Sequence, residues 1–180
     1  GEGPIWWRDR LWYVDIDGKR VVEFDPERDL EQVFEVGERV GTVVPRALGG
    51  LVIAGDNGFS FFDPNSGDKT PIADPEPDKK PQNRFNDGKC DPKGRFWAGT
   101  ISTVKQTGDA RLYMLDDKLH VSEKFGPVTN SNGICWSLDA QTMFYIDTPT
   151  KKVLAFDFQV ETGEISAPRP IIDTAAQGLE

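Results

Sequence analysis

"RLWYVDI" (Arg10–Ile16) is a short run of aromatic and β-branched residues that closes on an aspartate. Residues of this kind suit a pleated, half-buried strand. The pattern returns as "GLVIAGD" (Gly50–Asp56), "RFWAGTI" (Arg95–Ile101) and "MFYIDTP" (Met143–Pro149). The starts lie roughly 40–50 residues apart, the period of a propeller blade. A second strand follows each one: "RVVEFDP" (Arg20–Pro26), "GFSFFDP" (Gly58–Pro64), "RLYMLDD" (Arg111–Asp117) and "KVLAFDF" (Lys152–Phe158). Each carries an aspartate at the same place, and two continue Asp-Pro, which ends a strand by removing a donor and presetting a turn.

The rest of each repeat follows from these two strands. A charge-alternating segment such as "LEQVFEV" (Leu30–Val36) suits an outer, partly solvated edge. The segments "GEGPIWW", "VGTVVPR", "NDGKCDP" and "SNGICWS" precede the aromatic strands. No segment keeps helical periodicity with caps. The reading is an all-β fold, a β-propeller of four-stranded antiparallel blades. It forms a single incomplete domain with repeats roughly at 1–36, 40–73, 85–126 and 130–173, and a fifth blade beginning near 178. A β-sandwich would not repeat its sequence in this way.

Composition narrows the function. The chain has 180 residues, of which 37% are hydrophobic and 11% aromatic, with 18 glycines and 13 prolines, which favours many turns. Thirty acids against 21 bases give a net charge of -9, so neither nucleic acid nor an anionic membrane surface is expected as a partner. No apolar run approaches a membrane span, and no signal peptide is visible. Two cysteines, Cys90 and Cys135, make no disulfide framework, and a reduced, cytoplasmic setting is expected.

The repeats supply an internal alignment. With Gly3, Gly88 and Gly133 in register, Glu2, Asp87 and Asn132 become equivalent, as do Ile5, Cys90 and Cys135. Each residue before the glycine opens the first strand of its blade, the strand that lines a propeller's channel. Oxygen-bearing side chains would then converge on the axis from different blades, a set suited to a hard or borderline divalent cation. With His120 as the single histidine, a zinc site built from Cys and His is not expected. Alone, Glu2 would read as an exposed acid and Asn132 as a turn residue. Arg84 and Asn86 run into the second channel-lining group and read as a hydrogen-bonding pair for a polyhydroxylated ligand, against a surface ion pair as the plain alternative. The aspartates copied into every repeat read as structural, and Trp6, Trp7, Trp12, Trp97 and Trp136 as core between blades. No Gly-x-Ser-x-Gly elbow and no phosphate-binding loop is present, which leaves metal-assisted hydrolysis as the chemistry these residues best permit.

"GEGPIWW", "RLWYVDI", "RFNDGKCDPKGRFWAGT", "NSNGICWSLD" and "FYIDT" together resemble the senescence-marker-protein/gluconolactonase/regucalcin-like family. The resemblance implies a six-bladed propeller, of which about four blades are present here. It implies one divalent cation held by Glu2, Asn132 and an Asp just beyond Glu180, the last also the proton acceptor. No catalytic residue would then lie within the chain. It assigns substrate contact to Arg84 and Asn86. Regucalcin-like members carry a further substrate-contacting Glu where this chain has Val104, so a preferred sugar lactone different from theirs is expected. The implied cation is calcium or zinc, with magnesium, manganese and iron compatible. The implied partner is a small sugar lactone, with no obligate protein partner. The chain reads as a fragment, and these 180 residues alone are expected to be poorly soluble and nearly inactive. The rival readings are a non-enzymatic calcium-binding regulator, an interaction platform, and hydrolysis of a different ester.

Overall fold

Each repeat folds as a four-stranded antiparallel meander in the computed structural model, which describes residues 1–178. The first sheet holds β1 (Glu2–Trp7), β2 (Arg10–Asp15), β3 (Arg20–Asp25) and β4 (Leu30–Glu35). The second holds β5 (Val40–Pro45), β6 (Leu51–Gly55), β7 (Gly58–Phe62) and β8 (Lys69–Ala73). The third holds β9 (Asn83–Cys90), β10 (Phe96–Ser102), β11 (Ala110–Leu115) and β12 (Val121–Val128). The fourth holds β13 (Ser131–Trp136), β14 (Thr142–Asp147), β15 (Lys152–Gln159) and β16 (Glu164–Asp173). The sheets are propeller blades. The start expected for a fifth repeat falls at Gly178, which is in a turn, and runs into residues 179 and 180, outside the described residues.

The core lies between blades, and strand alternation decides which seam each side chain enters. On β6, Leu51 and Ile53 meet Trp12, Val14 and Phe34 of the first blade. Their neighbours Val52 and Ala54 turn the other way, to Phe85, Phe96 and Tyr113 of the third. On β11, Leu112 and Met114 join Met143, Tyr145 and Phe156 in the next seam. Middle strands are therefore apolar at nearly every position, while outer strands such as β4 are exposed along most of their length.

The repeated aspartates are structural, as expected, but only three of the four in the third strands work in turns: Asp157 lies within β15 and pairs with Arg169 at 2.7 Å. Asp25, Asp63 and Asp116 close the third strands, and their carboxylates accept the N–H of Glu27, Asn65 and Lys118 respectively, at 2.8–3.0 Å. At the opposite end, Asp56 and Asp147 follow or close the second strands, and each accepts the N–H of the residue that leads into its own blade's axial strand: Arg39 at 3.1 Å and Asn130 at 2.8 Å. The bonds of Asp25, Asp63 and Asp116 are local side-chain-to-backbone bonds that compete with extension and so end a strand, whereas those of Asp56 and Asp147 reach across about 17 residues to tie the two ends of a strand pair together.

The tryptophans divide. Trp12 and Trp97 are buried as expected, but Trp6 and Trp7 are exposed, Trp6 by 58%. Ile5 faces the second blade, so Trp6, one residue on, points to the other face of β1, where no blade packs among the described residues.

Candidate functional site

The axial strands β1, β5, β9 and β13 each depart from regular pairing at the same place. Pairing skips between Glu2↔Val14 and Ile5↔Trp12, between Val40↔Gly55 and Thr42↔Ala54, between Phe85↔Thr100 and Gly88↔Ala98, and between Asn132↔Ile146 and Ile134↔Tyr145. Each skip places one extra residue on the axial strand, which is a β-bulge. Gly3 (φ +56°) and Gly133 (φ +44°) adopt the left-handed backbone that such a bulge uses. A bulge re-aims the side chains beside it, and Glu2, Asn86, Asp87 and Asn132 all sit beside one. The second blade has Val40 at the corresponding place, fully buried, so the ring of polar residues is interrupted there.

Arg84 and Asn86 are brought together. Arg84 Nη1 donates to the carbonyl of Phe85 (2.8 Å) and to Asn86 Oδ1 (3.1 Å). Asn86, itself buried, donates from Nδ2 to the carbonyl of Ser131 (2.8 Å) and to Asn130 Oδ1 (3.2 Å) in the fourth blade. Burial and the neighbouring Arg39 guanidinium push the Arg84 pKa down, against the opposing pull of Asp56, Asp17 and Glu2. Arg84 therefore stands among charged groups from the first and second blades. Arg39 is itself held by Asp56, through Nε–Oδ1 at 3.0 Å and Nη2–Oδ1 at 2.9 Å.

Glu2 is exposed, takes part in no ion pair among the described residues, and lies close enough for its charge to act on Arg84. Asn132 Oδ1 accepts the N–H of Gly133 (3.1 Å), and its Nδ2 donates to Thr148 Oγ1 (3.2 Å). Asp87 is held alike, its Oδ1 accepting the N–H of Gly88 at 2.8 Å. The structure thus groups Glu2 with Arg84 and Arg84 with Asn86, while no hydrogen bond joins Glu2 to Asn132. Among the described residues no three His, Cys, Asp or Glu side chains form a metal cluster. The donors that Glu2, Asp87 and Asn132 offer are all oxygens, the chemistry of a hard divalent cation, which takes about six such ligands. They fit such an ion as part of its ligand set. The aspartate expected past Glu180 lies outside the chain.

Val104 is exposed on the connection between β10 and β11, as is much of the loop around it. Cys90 is half-buried in the seam between the second and third blades, where burial lifts its thiol to about 11. Cys135 is exposed, and both are free. The roomier clefts, about 330 to 580 Å³, are lined by strand-end and turn residues such as Trp7, Arg46, Leu48 and Asp63, and include none of Glu2, Arg84, Asn86 and Asn132. Sequence reasoning missed Asn130, Arg39 and Asp17. Asp56 was visible as the residue closing "GLVIAGD", where it matches Asp147.

Residues 1–179 match the family described as SMP-30/Gluconolactonase/LRE-like region. Regucalcin of Danio rerio is 41% identical over 175 residues, covering 95% of this chain and 59% of that one. A Bacillus subtilis protein named for a proposed sugar lactone lactonase activity is 33% identical over 173 residues, again covering 95% of this chain and 59% of its own. A solved structure described as a calcium-binding protein, regucalcin, from Agrobacterium tumefaciens superimposes with a TM-score of 0.90 at 26% identity, over 97% of this chain and 59% of that one. The chain thus spans about three-fifths of the length of the curated relatives it matches.

Proposed function

The chain belongs to the SMP-30/gluconolactonase/LRE-like family, and on that premise we propose that the whole protein hydrolyses a sugar lactone with the help of one divalent cation, calcium or zinc before magnesium, manganese or iron. The observation that carries the reading is the Arg84–Asn86 pair, whose Asn86 bonds from the third blade to the fourth, with the Glu2 carboxylate near enough for its charge to act on Arg84.

Glu2 and Asn132 would hold the cation, with Asp87 a further oxygen nearby in sequence register. When bound, such an ion polarises a lactone carbonyl and stabilises the charge that develops on its oxygen. Arg84 offers a rigid fork of donors, and Asn86 both a donor and an acceptor, so the pair orients ring hydroxyls. Asn86 is held by Ser131 and Asn130, which keeps the pair in place between turnovers and lowers the entropy lost on binding. Water adds to the lactone carbonyl, the ring C–O bond breaks, and the product is the open hydroxy acid.

A panel of lactones, assayed with chelated protein and after metal add-back, tests this. Turnover restored by a divalent cation is expected. Full activity in the metal-free protein, or unchanged activity in Glu2→Gln combined with Asn132→Ala, would rule it out. A second reading, a calcium-binding protein without catalysis, draws on the printed names of the regucalcin relatives. It predicts cation binding with no turnover of any lactone.

A further inference from the structure

Glu76 lies in the link between β8 and β9 and is buried. Its carboxylate accepts from Asn83 Nδ2 (2.8 Å), Tyr113 OH (2.9 Å) and Thr100 Oγ1 (3.1 Å). The nearby lysines are engaged elsewhere, Lys79 with Asp109 and Lys80 with Asp74. Asn83 is only 4% exposed, and its Nδ2 also reaches the carbonyl of Asp109 at 3.2 Å. Both of those partners accept, which fixes the amide orientation and leaves Oδ1 as the atom without a donor.

Asn83 Oδ1 is buried with no partner, and so is Nε of the next residue, Arg84. Both residues line one cavity of about 10 Å³ with Glu76, Asp56, Asp74 and Lys80. That volume is about the room one water molecule takes, and a buried water needs two to four polar partners, which this lining supplies. A buried donor and a buried acceptor without partners, in two residues that line one cavity, are each costly unless something satisfies them.

We propose that one ordered water occupies this cavity, accepting from Arg84 Nε and donating to Asn83 Oδ1, and that Glu76 and Asn83 thereby act as positioning residues for the Arg84 guanidinium. Nη1 is already tied to Phe85 and Asn86. With Nε tied as well, the guanidinium plane is fixed, and a fixed fork loses less freedom for each hydrogen bond it makes to a ligand. The water site stands on the cavity and its two open atoms. The positioning of substrate rests on the lactone reading above.

A crystal structure of the whole protein that resolves ordered waters is expected to place one oxygen within about 3 Å of both atoms. In nitrogen-15 NMR the Arg84 Nε–H, assigned by its loss in Arg84→Lys, is expected to exchange slowly and to show a contact with a long-lived water. Asn83→Leu is expected to abolish that contact and to raise KM for a lactone about tenfold, with kcat within about twofold. A protein that shows the water but turns over no lactone supports the site and sinks the hydrolase reading alone. An empty cavity, or an Arg84 Nε–H that exchanges freely in the unmutated protein, overturns the proposal even if Asn83→Leu cannot be folded. A fall in kcat at unchanged KM overturns the positioning role.

Discussion

Asn86 Nδ2 donates across the seam between the third and fourth blades to the carbonyl of Ser131, at 2.8 Å. Asn86→Leu removes that donor and leaves a buried acceptor open. Stability is expected to fall by about 1–3 kcal/mol, read from the midpoint of urea unfolding. Arg84 loses its Asn86 Oδ1 partner in the same variant, so lactone KM is expected to rise as well. A variant as stable as the original would show that the seam bond contributes nothing.

Glu2 is exposed, and Asn132 is half-buried with its amide donating to Thr148 Oγ1 at an exposed place. The double variant Glu2→Gln with Asn132→Ala is therefore expected to unfold within about 0.5 kcal/mol of the parent. Its metal-supported lactone turnover is expected to drop by about a hundredfold or more, the size of a lost Lewis-acid contact worth several kcal/mol. Equal losses of stability and activity would instead place these residues in the scaffold.

Two glycines mark where strands of neighbouring blades come too close for a side chain. A Cβ on Gly41 would stand 2.3 Å from the carbonyl oxygen of Asn86 and 2.4 Å from that of Phe85. Backbone cannot yield as a side chain can, so Gly41→Ala is expected to displace the Arg84–Asn86 strand. A Cβ on Gly99 would meet Ser131 Oγ at 1.8 Å, and that hydroxyl belongs to a buried residue. Gly99→Ala is expected to cost about 1–3 kcal/mol, with Gly41→Ala costing more. Thermal melts of the two variants side by side check the order.

Cys90 supplies a pH test. Its folded pKa, lifted to about 11 by burial, lies above the ordinary value of 9.0 for an exposed thiol. In that interval the folded state holds a proton that the unfolded state has lost. The stability this contributes is complete below about pH 9 and disappears as pH rises through about 11. Unfolding midpoints measured from pH 8 upward are expected to fall less in Cys90→Val than in the parent. A thiol reagent at pH 8 is expected to label Cys135 quickly and Cys90 only after unfolding.

The blades were legible because each axial-to-outer meander repeats one pattern of apolar alternation and one turn aspartate. Asp25, Asp63 and Asp116 could be assigned to turns from recurrence alone. Arg84 and Asn86 could be singled out because they lead directly into a glycine that aligns with two others. What stayed hidden depends on contacts between residues far apart in the chain. Glu76 reads as one acid among several in "ADPEPDKK", yet Thr100 and Tyr113 close over it from later strands. Arg39 and Asp56 are 17 residues apart and meet only when β5 and β6 pair. The exposure of Trp6 was missed because aromatic composition does not say which face of a strand has a neighbour.

The bulge in every axial strand separates two kinds of inheritance. Because the extra residue is absorbed by the backbone, the ladder beside it pairs in the same way whether the bulge is flanked by Glu2, Val40, Asp87 or Asn132. The position is thus an address whose occupant can change by single substitutions without renegotiating the sheet. Chemistry at the axis can drift, be lost in one blade and be gained in another, while the scaffold that presents it stays the same.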